Sequence, residues 1–423
     1  MSSSGFTREE LTNEPAPGIP YFTPLQNPPA GTAVEQPDDK PIPKVFQPIK
    51  LRGLTLQNRI MLSPLCQYSA EDGHYTMWGH THMGGIVQRG PGISCIEAAA
   101  VVPEGRITPQ DVGIWKDSQI EPLRKTVEFA HSQNQKIMIQ LAHAGRKASC
   151  VAPWIHMGHA ADESMDGWPN NVKAPTGGLK FDEHYAVPKA MTKDDIEEFK
   201  AAFVAATKRS VAAGFDAIEI HNAHGYLLHE FLSPATNKRT DNYGGSFENR
   251  IRLTVEIVDL VRQTIPDAMP LFLRVSATDW LEETEYGADS WTLGQTIELA
   301  KILADRGVDV LDVSSGGNHP EQKIKGGPGY QAPFSLAIKE AIGDRMVVAA
   351  VGAITSGKQA NVLLENGIDA VFVGRMFQKN PGLVFSWADE LDVKVQMPNQ
   401  IRWGFAGRGG GKIKTGNESK QKL

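Results

Sequence analysis

The chain has 423 residues, 41% of them hydrophobic, enough to build one large core of the size an α/β barrel needs. Its 43 basic and 49 acidic residues leave a formal net charge of −6 with no basic stripe, which excludes nucleic acid as a partner. Cys66, Cys95 and Cys150 form no Cys-x-x-Cys pair, so neither a disulfide framework nor a thiolate zinc site is supported, and a reducing compartment is expected.

Residues 1–44 are rich in Pro, Ser, Thr and Glu without apolar periodicity and read as an extended leader draped over the domain. No signal-peptide stretch opens the chain and no later run is long enough to cross a bilayer, so a soluble cytoplasmic protein is expected. The ending Gln421-Lys-Leu423 shares only its last two residues with a peroxisomal address, which stands as the alternative.

Eight short runs rich in β-branched and aliphatic residues follow, at 59–63, 93–101, 136–143, 217–221, 271–277, 308–314, 346–351 and 369–373. Most are followed by helix-like segments, the alternation of a parallel sheet with crossovers, and eight is the number that closes a (β/α)8 TIM barrel. The barrel is expected over 45–395, with 396–423 as a C-terminal segment and flexible tail. Between the runs, 192–213 places Ile196, Phe199, Phe203, Ala206 and Val211 at helical spacing, with Thr192 as N-cap and Asp194 and Asp195 in the first turn. Helices are also predicted at 246–265 and 293–306, the latter stopped by Gly307. The insertion 148–188, with Trp154 and Trp168, exceeds an ordinary strand-to-helix link and is expected to shape the pocket at the barrel mouth. No GxGxxG follows a strand, which argues against a Rossmann domain, and the glycine-rich run after Phe405 lacks the first glycine of a phosphate loop.

Barrel chemistry sits on the C-terminal ends of the strands. Here those ends carry Ser63-Pro-Leu-Cys-Gln-Tyr68, Ala98, Gln140, His221-Asn-Ala-His-Gly-Tyr226, Arg274, Ser314, Gly352 and Gly374-Arg375. His221 and His224, three apart where a strand becomes a loop, can aim two N–H donors at one acceptor while Tyr226 brings a proton, which suits an oxyanion or enolate. Glycines after strands seven and eight, with Arg375, suit a phosphate. If that phosphate belongs to FMN, Arg274 can set positive charge against the pyrimidine edge, and Gln140 can hydrogen-bond it.

Each feature has a plainer reading. A strand histidine is usually a satisfied core residue, and His-x-x-His can bind metal, although no carboxylate or third histidine lies at a ligand spacing, so no metal is expected. His229-Glu230 begins like a zincin motif, but Ser233 stands where the second histidine belongs. His156 and His159 read as solvated loop histidines. Cys66 can be a small buried hydrophobe or a nucleophile, Arg375 a helix cap, and Gly352 a tight turn.

Five motifs occur in one order: Ser63-Pro-Leu-Cys-Gln-Tyr68, Gln140-Leu-Ala-His-Ala-Gly-Arg-Lys147, Ile220-His-Asn-Ala-His-Gly-Tyr226, His229-Glu-Phe-Leu-Ser-Pro234 and Arg239-Thr-Asp-Asn-Tyr-Gly-Gly245. Through them the chain, from about residue 45 to 375, resembles the Old Yellow Enzyme family of FMN-dependent ene-reductases. Cys66 and Tyr68 point to the subgroup of bacterial xenobiotic reductases and thermophilic ene-reductases. The resemblance implies that Ser63, Pro64, Leu65, Cys66, Ala98, Gln140, Arg274, Gly374 and Arg375 hold FMN, with Cys66 adjusting its potential. It implies that His221 and His224 bind the substrate carbonyl, that Tyr68 lines the pocket and that Tyr226 donates the proton. NADPH or NADH would reduce the flavin, which passes hydride to the β-carbon of an activated alkene such as an α,β-unsaturated carbonyl. An FMN-barrel dehydrogenase or isomerase dedicated to one biosynthetic substrate is the alternative. In the subgroup a C-terminal arginine enters the neighbouring subunit's site, which implies a homodimer or homotetramer. Arg402 is the candidate here, although isoleucine stands near the position where a tyrosine is usual.

Overall fold

All eight predicted runs become barrel strands, each with ends within two residues of expectation. The structure, a computed structural model, describes residues 12–406. After a hairpin of β1 (Ile49–Leu51) and β2 (Leu54–Leu56), the barrel strands are β3 (Ile60–Leu62), β4 (Ile93–Ala100), β5 (Ile137–Ala142), β8 (Ala217–Asn222), β9 (Leu271–Ser276), β10 (Val310–Ser314), β11 (Val347–Val351) and β12 (Ala370–Val373). β6 (Lys173–Ala174) and β7 (Lys189–Ala190) pair separately inside the 148–188 insertion. The barrel strands pair in parallel, and β12 returns to β3 to close the ring.

Outside the ring run α1 (Met77–Val87), α2 (Ile120–Ser132), α3 (Lys193–Ala213), α4 (Leu227–Leu232), α5 (Phe247–Thr264), α6 (Leu293–Asp305), α7 (Ala332–Ile342), α8 (Gly357–Glu365), α9 (Arg375–Lys379), α10 (Leu383–Glu390) and α11 (Trp403–Ala406). Helix α3 starts at a reciprocal cap: the Asp195 N–H donates to Thr192 Oγ1 at 3.0 Å, and the Thr192 N–H donates to the Asp195 carboxylate at 2.7 Å. It stops at Gly214, whose φ of +95° closes the last turn. Ile196, Phe199 and Phe203 are buried against the barrel, each such side chain contributing about 1.5–3 kcal/mol. None of the described helices is long and apolar enough to cross a membrane.

Strand alternation divides the core into two. Outward residues such as Ile218, Ile220, Leu271 and Leu273 pack under the helices, while Met61, Cys95, Met138, Phe272 and Phe372 form a second cluster inside the ring. Ile49, Leu51 and Leu56 of the hairpin join that inner cluster and close the N-terminal end of the barrel. The hairpin is absent from the sequence expectations because three-residue strands carry too little periodicity to be read.

Residues 12–44 are tied to the same end. The Gly31 N–H donates to Gln396 O at 2.9 Å, the Val34 N–H to Lys394 O at 3.0 Å, and Ala33 bridges Val395. Side-chain amides add to these: Asn58 Nδ2 donates to Gly31 O at 3.1 Å, Gln135 Nε2 to Ala30 O at 3.1 Å and Asn134 Nδ2 to Gln26 O at 3.0 Å. The glycine-rich tail and the ending Gln421-Lys-Leu423 lie outside the described residues.

Candidate active site

Because side chains two apart on a strand share a face, each inward apolar residue near the barrel floor has an inward residue one layer above it. Above Met138, Ala217, Phe272 and Val310 stand Gln140, Glu219, Arg274 and Asp312. Gln140 Nε2 donates to Glu219 Oε1 at 2.7 Å, and Arg274 Nε donates to Asp312 Oδ2 at 2.6 Å while lying 3.7 Å from Glu219 Oε1. Burial opposes the Arg274 charge, but the carboxylates of Asp312 and Glu219 outweigh it and hold the guanidinium protonated. Burial also holds both carboxyls above the usual carboxylate range. One layer higher, at the C-terminal ends, come Ser63, His221, Ser276 and Ser314.

His221 is 5% exposed. Its ring centroid lies 5.2 Å from that of His224 with the planes at 89°, and 4.9 Å from that of Tyr226. His224 sits at φ +61°, its N–H donating to Ser276 Oγ at 2.9 Å and its Nε2 lying 2.7 Å from Ser314 Oγ. Burial pushes both imidazoles well below their ordinary 6.5, and the charge of Arg274 adds to it. Both rings are therefore neutral near neutral pH, each with one N–H donor. His221 Nδ1 is buried without a partner.

The loop bearing the pair is braced from behind. The Gly225 N–H donates to His229 Nδ1 at 2.9 Å, and His229 Nε2 lies 3.0 Å from Asp279 Oδ1. Asp279 also accepts from Ser233 Oγ at 2.5 Å. The zincin-like His229 and the serine that breaks that motif thus meet on one buried carboxylate as supports of the loop.

Below His224 opens a cavity of about 440 Å³, within the size range of cofactor sites. Ser63, Pro64, Leu65, His224, Arg274, Ser314, Gly352, Gly374 and Arg375 line it, as do Gln331 and Lys379, which sequence reasoning did not single out. Gly352 adopts φ +109°, and a Cβ there would stand 2.5 Å from Gln331 Nε2. Arg375 and Lys379, on α9, place two cations beside these glycines, while Arg274 puts a third charge on the floor. Ser63 Oγ is buried and unpartnered. Cations beside close-packed glycines at strands seven and eight suit a phosphate, and a fixed guanidinium suits the electron-rich edge of a flavin, so these residues fit FMN.

The other expected residues surround the cavity. Tyr226 and Ala98 meet in a small recess with Asp111 and Arg106. Burial, then the neighbouring acidic groups Asp111 and Glu97, push the half-buried Cys66 thiol well up, so it is protonated and a poor nucleophile. Burial likewise keeps the Tyr226 phenol protonated. Tyr68, at φ +50°, packs edge-on against Trp154 of the insertion at 5.6 Å, so the insertion reaches the mouth as expected.

Gln140 faces Glu219 and is not among the cavity-lining residues. Arg402 belongs to the C-terminal segment that runs beside the leader, and this chain does not bring it to its own site. His156 and His159 stay away from the site too. Both are exposed loop residues, as their reading as solvated loop histidines expects, and they gather with His184, whose ring centroid lies 5.3 Å from that of His156. Among the described residues no group of three or more His, Cys, Asp or Glu is arranged to hold a metal ion. The missed residues had one readable signal: Glu219 and Asp312 stand two positions before His221 and Ser314 on apolar strands.

The chain matches the NADH:flavin oxidoreductase / NADH oxidase family over residues 44–393. An NADH:flavin oxidoreductase of Gibberella zeae is 56% identical to it over 407 residues, covering 95% of this chain and 97% of that one. An NADPH dehydrogenase of Geobacillus thermodenitrificans is 41% identical over 364 residues, covering 85% and 98%. Among solved structures, morphinone reductase is similar with a TM-score of 0.66 at 26% identity, covering 84% of this chain and 92% of that one. The old yellow enzyme homologue from Zymomonas mobilis has a TM-score of 0.66 at 25% identity, covering 84% and 94%. The chain therefore belongs to the Old Yellow Enzyme family and is an FMN-dependent NAD(P)H oxidoreductase.

Proposed function

We propose that the protein reduces the C=C bond of α,β-unsaturated carbonyl compounds and similar activated alkenes. The observation that carries this reading is the neutral, mutually perpendicular imidazole pair of His221 and His224 at the rim of a cavity that fits FMN. Bound FMN, once reduced by NADPH or NADH, supplies a hydride. The protein's own residues do the rest.

His221 and His224 donate two hydrogen bonds to the substrate carbonyl oxygen, drawing charge off the β-carbon and stabilising the enolate that forms. A hydrogen bond to a charged group contributes about 1.5–3 kcal/mol, and it strengthens as the oxygen gains charge. Tyr226, 4.9 Å ring to ring from His221, delivers its phenolic proton to the α-carbon. Tyr68 lines the pocket against Trp154, and the 148–188 insertion limits substrate size.

Arg375, Lys379, Gly352 and Gly374 hold the FMN phosphate, while Arg274 with Gln140 addresses the pyrimidine edge. Ser63, Pro64, Leu65, Cys66 and Ala98 border the ring system, and Arg402 serves the site of a second copy. The test is NADPH consumption with cyclohexenone under anaerobic conditions, with the product identified. Cyclohexanone formed in step with NADPH supports the reading. Flavin that NADPH reduces but cyclohexenone does not reoxidise overturns it in favour of a dedicated FMN dehydrogenase or isomerase.

A further inference from the structure

We propose that Lys147 is a positioning residue for the imidazole pair: its ammonium ties the carbonyls of His224 and Gly317 together and so fixes the backbone from which the His224 ring projects. The proposal rests on the oxyanion role assigned above to that pair.

Lys147 ends the turn Gly145–Lys147 that follows β5. Its Nζ donates to His224 O at 2.9 Å and to Gly317 O. Among the described residues neither carbonyl has a backbone N–H partner, so the lysine meets a need that nothing else in the two loops meets. His224 holds φ +61°, a conformation that a residue with a Cβ keeps only when its surroundings impose it. Ser276 binds its N–H side, and Lys147 binds its carbonyl side.

The two loops that Lys147 joins are also interlocked. A Cβ on Gly317 would stand 2.6 Å from His224 Cα, and one on Gly225 would stand 2.1 Å from Gly317 O. Arg146 continues the clamp, its guanidinium donating to Asn318 O and, at 3.2 Å, to Lys180 O. On its other side the Lys147 ammonium lies 4.2 Å from the ring centroid of Phe181, which places a residue of the insertion over the clamp. Two loops and the insertion therefore converge on one side chain.

A buried ammonium would ordinarily take a carboxylate partner. Here its hydrogen bonds go to carbonyl oxygens, and the nearby Glu230 accepts instead from the Arg146 N–H at 2.8 Å. Burial, then the charge of Arg146, push the ammonium down to about 7. Both protonation states keep at least two N–H donors, enough for both carbonyls. The hydrogen-bonded tie thus survives loss of the proton, and a neutral donor can stand in for the lysine.

The test compares Lys147→Met, which removes the donor, with Lys147→Gln, which keeps an uncharged one, both as FMN-loaded protein. Read are FMN content, the dissociation constant of para-chlorophenol from the flavin spectrum, and kcat and KM for cyclohexenone. The expected result is full FMN content in both variants, phenol binding and kcat about tenfold weaker in Lys147→Met, and recovery of most of that loss in Lys147→Gln. Wild-type phenol binding and kcat in Lys147→Met overturn the proposal, as does a Gln variant no better than the Met variant. Should Lys147→Met fail to fold, Lys147→Gln is read alone: a phenol constant within about fivefold of wild type supports the proposal, and a larger loss overturns it. If wild-type protein turns over no cyclohexenone, the reaction reading fails, and the phenol constants still decide the role of Lys147.

Discussion

Arg274 and Asp312 are register partners on β9 and β10, and the 2.6 Å contact between Nε and Oδ2 sets the guanidinium of the cavity floor against a buried carboxylate. Glu219, 3.7 Å away, is a second buried acid dependent on the same cation. Removing one partner of a buried pair strands the other. Arg274→Met is expected to lower unfolding free energy by about 3–5 kcal/mol and to abolish FMN retention. Arg274→Met with Asp312→Leu should regain part of that stability without regaining FMN, as read by chemical denaturation and the flavin spectrum. Additive losses in the double variant would contradict the coupling.

The contact between Gly225 and Gly317 makes a sharper geometric prediction. Gly225→Ala adds a methyl 2.1 Å from Gly317 O at φ +69°, whereas Gly178→Ala meets nothing within 4 Å at φ +76°. Both carry the backbone cost of a left-handed residue, on the order of 1 kcal/mol, and only the first adds a collision. Gly225→Ala should therefore lose clearly more stability and also weaken phenol binding. Equal thermal shifts in the two variants would show that the loops are not packed as described.

The imidazole pair has a pH signature whose sign follows from burial. Both histidines have pKa values lowered well below 6.5, so the folded state binds fewer protons there than the unfolded chain. Their contribution to stability is complete above 6.5 and is lost as pH falls from there toward the depressed folded values. In the same window the folded protein keeps neutral donors. Phenol affinity, corrected for ionisation of the phenol itself, should show no imidazole step near 6.5. A step there that disappears in His221→Ala would contradict the neutral assignment.

The leader is expected to matter for stability and not for chemistry. Its bonds run to residues at the N-terminal ends of the strands, such as Asn58 and Gln135, and to 394–396, on the face opposite the cavity. Deleting residues 1–36 should lower the thermal midpoint by several degrees and leave kcat for cyclohexenone within about twofold of the full chain. A loss of activity at unchanged midpoint would place the leader in the reaction.

Much of this architecture could be read from residues, and the reasons are physical. Runs such as 271–277 are apolar on both faces because helices cover one and the packed interior the other, so the strands announce themselves. Thr192 and Asp195 lie at cap spacing, and the cap forms. His221, His224, Arg274 and Arg375 stand out as polar ends to apolar runs. The hairpin of β1 and β2 is too short for a period to show. The leader is held by amides of Asn58, Asn134 and Gln135 that bond main-chain carbonyls far away in sequence, and such anchors leave no local pattern. His184 joins His156 only through the path of the insertion, and Lys147 acquires its partners only when barrel closure brings the loops after β5, β8 and β10 together.

The most direct test of the central claim is a titration of oxidised holoprotein with para-chlorophenol, comparing wild type with His221→Ala. The account predicts a long-wavelength charge-transfer band and tight binding in wild type, with affinity reduced on the order of tenfold or more in the variant while FMN stays bound. Identical titrations in the two proteins would mean that the imidazole pair does not hold the oxyanion, and the proposed chemistry would fall.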